Sequence, residues 1–422
     1  MKRTFSNGVG LVAAGTALIA VTYGLVRLAY GLYLPEMQAD LGFDSGVAGT
    51  VSSGGSLAYV AGAVAGFAAA GRHSRALVVA AGATAGIGAA GMAVAPEVVP
   101  FALAAVLGSA GAGLASPALV RVLQRGLDDG RQAGAQTVVN AGTGPGLVAA
   151  GLLAFALLPD WRLAWLAAAG GAIAAAGAVL VLDRRASSAR SLVGDGSGDA
   201  RADAARPSGA TGPDPAGPRG LLPPRSWFVA HRWVLLAALL AGAGSAGVWN
   251  YGRTLLVDAG VTAELSVGAW VCLGAGGTAV IVTARPLARL APGAVWTLTL
   301  TVMAAGTAGV VPLPGVVPVA FVACAAFGWA YTAATGALIA WTAEIDAERA
   351  ASGTALLFVL LVVGQAVGAV VLGVLVGAAG YGTAFLLAAL AALLAALAAL
   401  PGLGRLRPRE VADAPARAQG SR

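Results

Sequence analysis

Charge is scarce in this chain, and so are most residue types that build catalytic or metal centres. Charged residues make up 11% of its 422 positions, with two histidines and two cysteines. Cys272 and Cys324 lie about fifty residues apart in apolar stretches, so neither a disulfide framework nor a zinc site has support. No metal and no cofactor are expected. Lysine occurs once, at Lys2, while arginine is abundant alongside Ala and Gly, a codon signature of a high-GC bacterial genome without functional content. Aromatic residues are 6% and are not interleaved with the arginines, which excludes the stacking platform of a nucleic-acid binder.

What the chain has instead is apolar length. Hydrophobic residues are 58% and the mean hydropathy is +0.81, far from a soluble domain. A helix needs about 20 apolar residues to cross roughly 30 Å of hydrocarbon. That criterion yields segments near 11–34, 46–70, 76–95, 99–120, 135–158, 162–182, 233–256, 265–284, 292–312, 317–342, 351–377 and 380–400. The runs are too long and continuous for barrel strands. The expected fold is an all-α membrane protein, with twelve transmembrane helices in two six-helix pseudo-symmetric bundles.

Of the 26 basic residues, 23 fall in every second gap between these segments. Arg162 alone lies in a gap of the other parity, and Arg27 and Arg253 lie inside apolar segments. Such a bias marks the loops that stay in the cytoplasm. Both termini are therefore expected there, in a multi-pass protein of the bacterial plasma (inner) membrane whose surroundings are the lipid bilayer.

The expected domains are an N-terminal bundle over 1–182, a flexible cytoplasmic linker over 183–232, a C-terminal bundle over 233–400 and a cytoplasmic tail over 401–422. The linker is rich in Ser, Gly, Pro, Asp and Arg and cannot bury enough apolar surface to fold. A shift of 218 residues places Gly42 on Gly260, Arg131 on Arg349 and Gly146 on Gly364. Two parallel six-helix repeats are an architecture of secondary transporters, whose substrate site lies between the halves near mid-membrane.

Arg27 is the residue that such a site would use first. An intramembrane arginine costs at least about 2.5 to 3.5 kcal/mol and normally faces a bundle interior or a water-filled cavity. Tyr23 and Tyr30, at i−4 and i+3, put phenol, guanidinium and phenol on one helical face. That stripe suits an anionic ligand; the alternative is a structural arginine satisfied by carbonyls at a helix break. Arg253, with Trp249 and Asn250 beside it, either completes the site or its entrance, or snorkels or pairs with Asp258. Asn140, Tyr331 and Gln365 are further candidate substrate contacts, with Ser53, Tyr59, Trp329 and Thr335 as possible cavity residues.

All 19 acidic residues fall outside the apolar segments or at their ends, which leaves no proton relay at mid-membrane. Glu36, just after Pro35, is the candidate coupling site, or else a loop residue or the partner of an arginine.

The turn Gly66-Phe67-Ala68-Ala69-Ala70-Gly71-Arg72-His73-Ser74-Arg75 and the helix-five run Asn140-Ala141-Gly142-Thr143-Gly144-Pro145-Gly146 resemble two motifs of the major facilitator superfamily. The resemblance covers nearly all of the chain except the linker and tail. In the first motif Gly66, Arg72 and Arg75 match and alanine replaces the family's Asp; in the second, Gly144 and Pro145 match the Gly-Pro core. Val148 and Ala149 stand where the antiporter motif has glycines, and Ala105 where drug/proton antiporters carry an arginine. The resemblance implies a non-enzymatic secondary transporter that changes shape by alternating access and works as a monomer. The expected cargo is a small organic anion or acidic metabolite. The other readings are an efflux pump for an amphiphilic drug or natural product and, from another class, a membrane sensor or membrane enzyme.

Overall fold

The computed structural model describes residues 2–195 and 224–399, and every regular element among them is helical. α1 (Lys2–Ile19) runs into a π-helical stretch (Ala20–Leu28) and, past Ala29, into α2 (Tyr30–Leu41). The apolar run predicts an end near residue 34, but Pro35 is accommodated inside α2. Proline removes one backbone donor without always ending a helix. The rod stops instead at Gly42, whose φ of 67° is open to glycine and strained for other residues.

α3 (Ser45–Val94) has 50 residues and α12 (Ala350–Leu397) has 48. At 1.5 Å per residue each is more than 70 Å long, over twice the roughly 30 Å of a hydrocarbon core. Each contains a break, at His73 (φ −127°, ψ 31°) and at Gly380 (φ 78°, ψ 170°). The remaining helices are α4 (Val98–Gly126), α5 (Asp129–Asn140), α6 (Thr143–Leu157), α7 (Trp161–Asp195), α8 (Arg225–Asp258), α9 (Ala263–Leu287), α10 (Pro292–Gly309) and α11 (Val317–Ile345). Among the described residues nine helical spans, the two broken ones included, are long and apolar enough to cross a membrane; α10 is not one of the nine.

The expected linker over 183–232 is helical at both ends, since α7 continues to Asp195 and α8 begins at Arg225. The rest of that segment and the tail over 401–422 lie outside the described residues.

The 218-residue shift recurs in the turns. Gly42 and Gly260 both have positive φ, and Asp44 and Thr262 each cap the next helix by accepting from a backbone N–H three residues on. Small residues let the rods approach closely. A side chain at Gly242 would meet the Leu361 carbonyl and one at Gly364 that of Leu239, so α8 and α12 touch backbone to backbone. Large apolar side chains such as Phe67, Leu103, Val282 and Val322 are exposed on the outside of the bundle, a surface suited to lipid.

Candidate functional site

The π-helical stretch of the first rod carries Arg27 to the junction of the two halves. π-Helical turns often mark functional sites. Counting 1.5 Å per residue from Leu41, Arg27 lies roughly 20 Å from the end of its rod, deeper than the shorter helix predicted. Its guanidinium carbon stands 4.5 Å above the ring of Tyr59, whose hydroxyl lies 3.0 Å from that of Tyr23. Nη2 donates to Gln365 Oε1 at 3.1 Å across the halves. Gln365 Nε2 donates in turn to Tyr331 Oη at 3.0 Å and Ser245 Oγ at 3.3 Å. Tyr331 packs edge-on to Trp249 and stacks on Phe327, with ring centroids at 5.3 and 6.1 Å.

Beside this group opens a small cavity, part of it continuous with the exterior. Arg27, Tyr30, Ser56, Ser109, Trp249, Asn250 and Gln365 contribute to its wall. Arg27 makes no ion pair among the described residues, and its Nε is buried without a partner. The indole Nε1 of Trp249 is also buried and unpartnered.

The predicted residues do not all converge here. Tyr30 reaches the wall, but its hydroxyl donates to the Ala48 carbonyl at 3.2 Å. Asn250 lines the cavity while donating to the Ala246 carbonyl. Asn140 is exposed at the end of α5, where it accepts from Gln136. Trp329 donates to Thr283, and Thr335 to the Thr332 carbonyl.

Arg253 is fully used elsewhere. Nη1 and Nη2 hold the two carboxylate oxygens of Glu36 at 2.5 and 2.6 Å, Nη1 also reaches the Leu32 carbonyl at 2.5 Å, and Nε donates to Ser266 at 3.0 Å. The partner is thus Glu36, on α2, and not Asp258. Its side chain is 1% exposed and that of Glu36 17%. Around it the halves touch directly: a side chain at Gly31 would meet the Trp249 carbonyl, and Tyr251 Oη donates to Ser45 O at 3.1 Å and Ala369 O at 2.9 Å.

At the opposite, arginine-rich end, Arg75 Nε donates to Asp183 at 2.5 Å and Arg125 lies 3.5 Å from the same carboxylate. Asp183 is 1% exposed, and Arg72 is exposed nearby. Gly66 faces Pro117 of α4, Gly144 faces Thr278 of α9, and Pro145 is exposed just past the break between α5 and α6. Ser56, Ser109, Ser245 and Asp183 were not singled out from the sequence. Lone serines in Ala/Gly-rich runs have no period to betray them, and Asp183 looks like the start of the polar linker.

The fold and the half-buried Arg27 between the halves invite comparison with known proteins. A family profile described as Major Facilitator Superfamily matches residues 16–358. The chain belongs to the major facilitator superfamily. It is therefore a multi-pass membrane protein of a transporter family, whose members bind small molecules and act as monomers. Among curated proteins no match was found.

Similar solved structures include the nucleoside transporter NupG (TM-score 0.69, 14% identity, covering 95% of this chain and 100% of that one). A bacterial homologue of the human lysosomal transporter Spinster, inward-facing and unoccupied, has a TM-score of 0.64 at 14% identity, over 96% and 99% of the two chains. The peptide transporter POT in complex with sulfate gives 0.67 at 16%, over 94% of each. At such identities these likenesses speak for the superfamily's fold alone. Within that family the turn around Arg75 departs from the usual motif, since Ala70 stands where the Asp would be and Asp183 supplies the carboxylate.

Proposed function

We propose that this member of the superfamily moves a small organic anion or acidic metabolite by alternating access, with Arg27 as its counter-charge. The observation that carries the reading is the state of Arg27. A guanidinium deep in its rod, beside a cavity and without a carboxylate partner among the described residues, holds an uncompensated charge that an anion would neutralise.

Twelve crossings follow when each broken helix counts twice and α10 is added to the spans. The arginine-rich end is then cytoplasmic, in a bacterial plasma membrane with both termini inside. The contacts of Glu36, Gly31 and Tyr251 close the outer end, while toward the arginine-rich end Gln124 is exposed and Thr335 half-buried. This arrangement supports an inward-facing state.

A second reading, export of an amphiphilic molecule, is favoured by the aromatic group of Trp249, Phe327 and Tyr331 next to the cavity. Counter-flow in proteoliposomes with radiolabelled carboxylates separates the two. Carboxylate exchange by the parent that is lost in Arg27→Ala supports the anion reading; exchange unchanged in that variant would refute it.

A further inference from the structure

A guanidinium offers a carboxylate two parallel donors along its Nε/Nη2 edge. In Arg27 that edge is incompletely used. Nη2 holds a neutral amide oxygen, Gln365 Oε1, at 3.1 Å, and Nε is buried without an acceptor. A buried donor left unpaired is costly, and more so when it carries charge. In Arg253, by contrast, every nitrogen has an acceptor: Nη1 and Nη2 hold one carboxylate end-on and Nε donates to a hydroxyl.

Gln365 is anchored from behind by Ser245 and Tyr331, both in the C-terminal half, while its carbonyl reaches over to the first rod. It thus occupies, without charge, the place an anion would take. The wall supplies one cation and, among the described residues, no Asp or Glu. An ammonium on the cargo would find no counter-charge there. A second carboxylate would find no second cation, because Arg253 is consumed by Glu36. Ser52, Ser56, Ser109 and Asn250 in the wall provide hydroxyl and amide partners for an uncharged polar body.

We propose that the Nε/Nη2 edge of Arg27 is a monocarboxylate subsite, that Gln365 is its neutral placeholder, and that the cargo carries one carboxylate and no fixed positive charge. This rests on the anion reading above and narrows it. On binding, the cargo's two oxygens take Nη2 and Nε, Gln365 Oε1 withdraws, and its Nε2 stays as a donor from the C-terminal half. Gln365 is then the residue through which cargo held by one half is felt by the other.

Three variants of the full chain in detergent test the placement and the cargo. Gln365→Glu makes the placeholder a permanent carboxylate, so its melting temperature is expected to rise above the parent's by several degrees and to lose that gain in the Arg27→Gln/Gln365→Glu double variant. A Gln365→Glu protein no more stable than the parent, or a gain that survives loss of Arg27, overturns it. Gln365→Ala vacates the edge. Acetate and lactate are expected to raise the melting temperature of Gln365→Ala more than that of the parent, while alanine and lactamide do not. Equal shifts from alanine or lactamide, or none from either monocarboxylate, overturn the cargo assignment. Placement and transport fail separately: a gain through Arg27 in liposomes that exchange no carboxylate keeps the subsite and sinks the transport reading.

Discussion

Glu36 and Arg253 meet in a bidentate ion pair that ties the first rod to α8, the two halves of the molecule joined by side chains 217 residues apart in sequence. The pair is almost dry on the arginine side, and the Leu32 carbonyl and Ser266 complete its hydrogen bonding. By contrast, the Arg162–Asp40 and Arg349–Asp346 pairs each stay within one half. In an alternating-access cycle the Glu36–Arg253 contact must break for the outer end to open.

Removing one partner of a buried pair typically costs about 3 to 5 kcal/mol, because the other charge is left uncompensated. Glu36→Gln should therefore weaken closure of the outer end. Spin labels at Glu97 and Ala378, with both native cysteines replaced, are expected to show a longer distance population in the variant. The charge-swapped pair Glu36→Arg/Arg253→Glu should recover part of the short one. Identical distributions in parent and Glu36→Gln would remove its role as a latch.

Arg27→Lys keeps the charge and loses the fork. A charge-assisted hydrogen bond contributes about 1.5 to 3 kcal/mol, and each 1.4 kcal/mol is about tenfold in affinity. Half-saturation for carboxylate counter-flow should rise about 10- to 100-fold in Arg27→Lys. A lysine variant that matched the parent would show that charge alone suffices.

Asp183 accepts from Arg75 and lies by Arg125 while 1% exposed. Asp183→Asn removes the anion between two half-exposed arginines and is expected to lower stability by about 1.5 to 3 kcal/mol, the worth of a charge-assisted hydrogen bond. Chemical denaturation in detergent measures it, and a change under about 0.5 kcal/mol, typical of surface positions, would contradict the pairing.

The glycine contacts make a matched comparison. At Gly242 a methyl group would run into the Leu361 carbonyl, whereas at Gly177 nothing lies within 4 Å. Gly242→Ala should destabilise by about 1 to 3 kcal/mol through overpacking. Gly177→Ala should gain up to about 1 kcal/mol from helix propensity. Thermal melts of the two, side by side, give opposite signs if the backbones of α8 and α12 really touch.

Much of the architecture is written in local composition. Apolar length alone marks the rods, because a backbone in hydrocarbon has no partner but itself. The alternation of arginine between gaps predicts orientation, and the 218-residue shift that aligns Gly42 with Gly260 finds two left-handed turns followed by capped helices. Arg27 was legible because a guanidinium in an apolar run is expensive wherever it faces.

Partnership was legible only in part: Glu36 could be read as the partner of an arginine, but not of which one. Arg253 looked equally able to serve the cargo or Asp258, and only the packing of α2 against α8 delivers Glu36 to its fork. Gln365, 338 residues from Arg27, reaches it through close glycine contacts such as that of Gly364 with the Leu239 carbonyl. Periodicity along one helix says which face is apolar, but which faces meet depends on how glycine-lined surfaces fit together. That fit involves residues hundreds of positions apart, so tertiary structure alone decided that one intramembrane arginine is neutralised and the other is not.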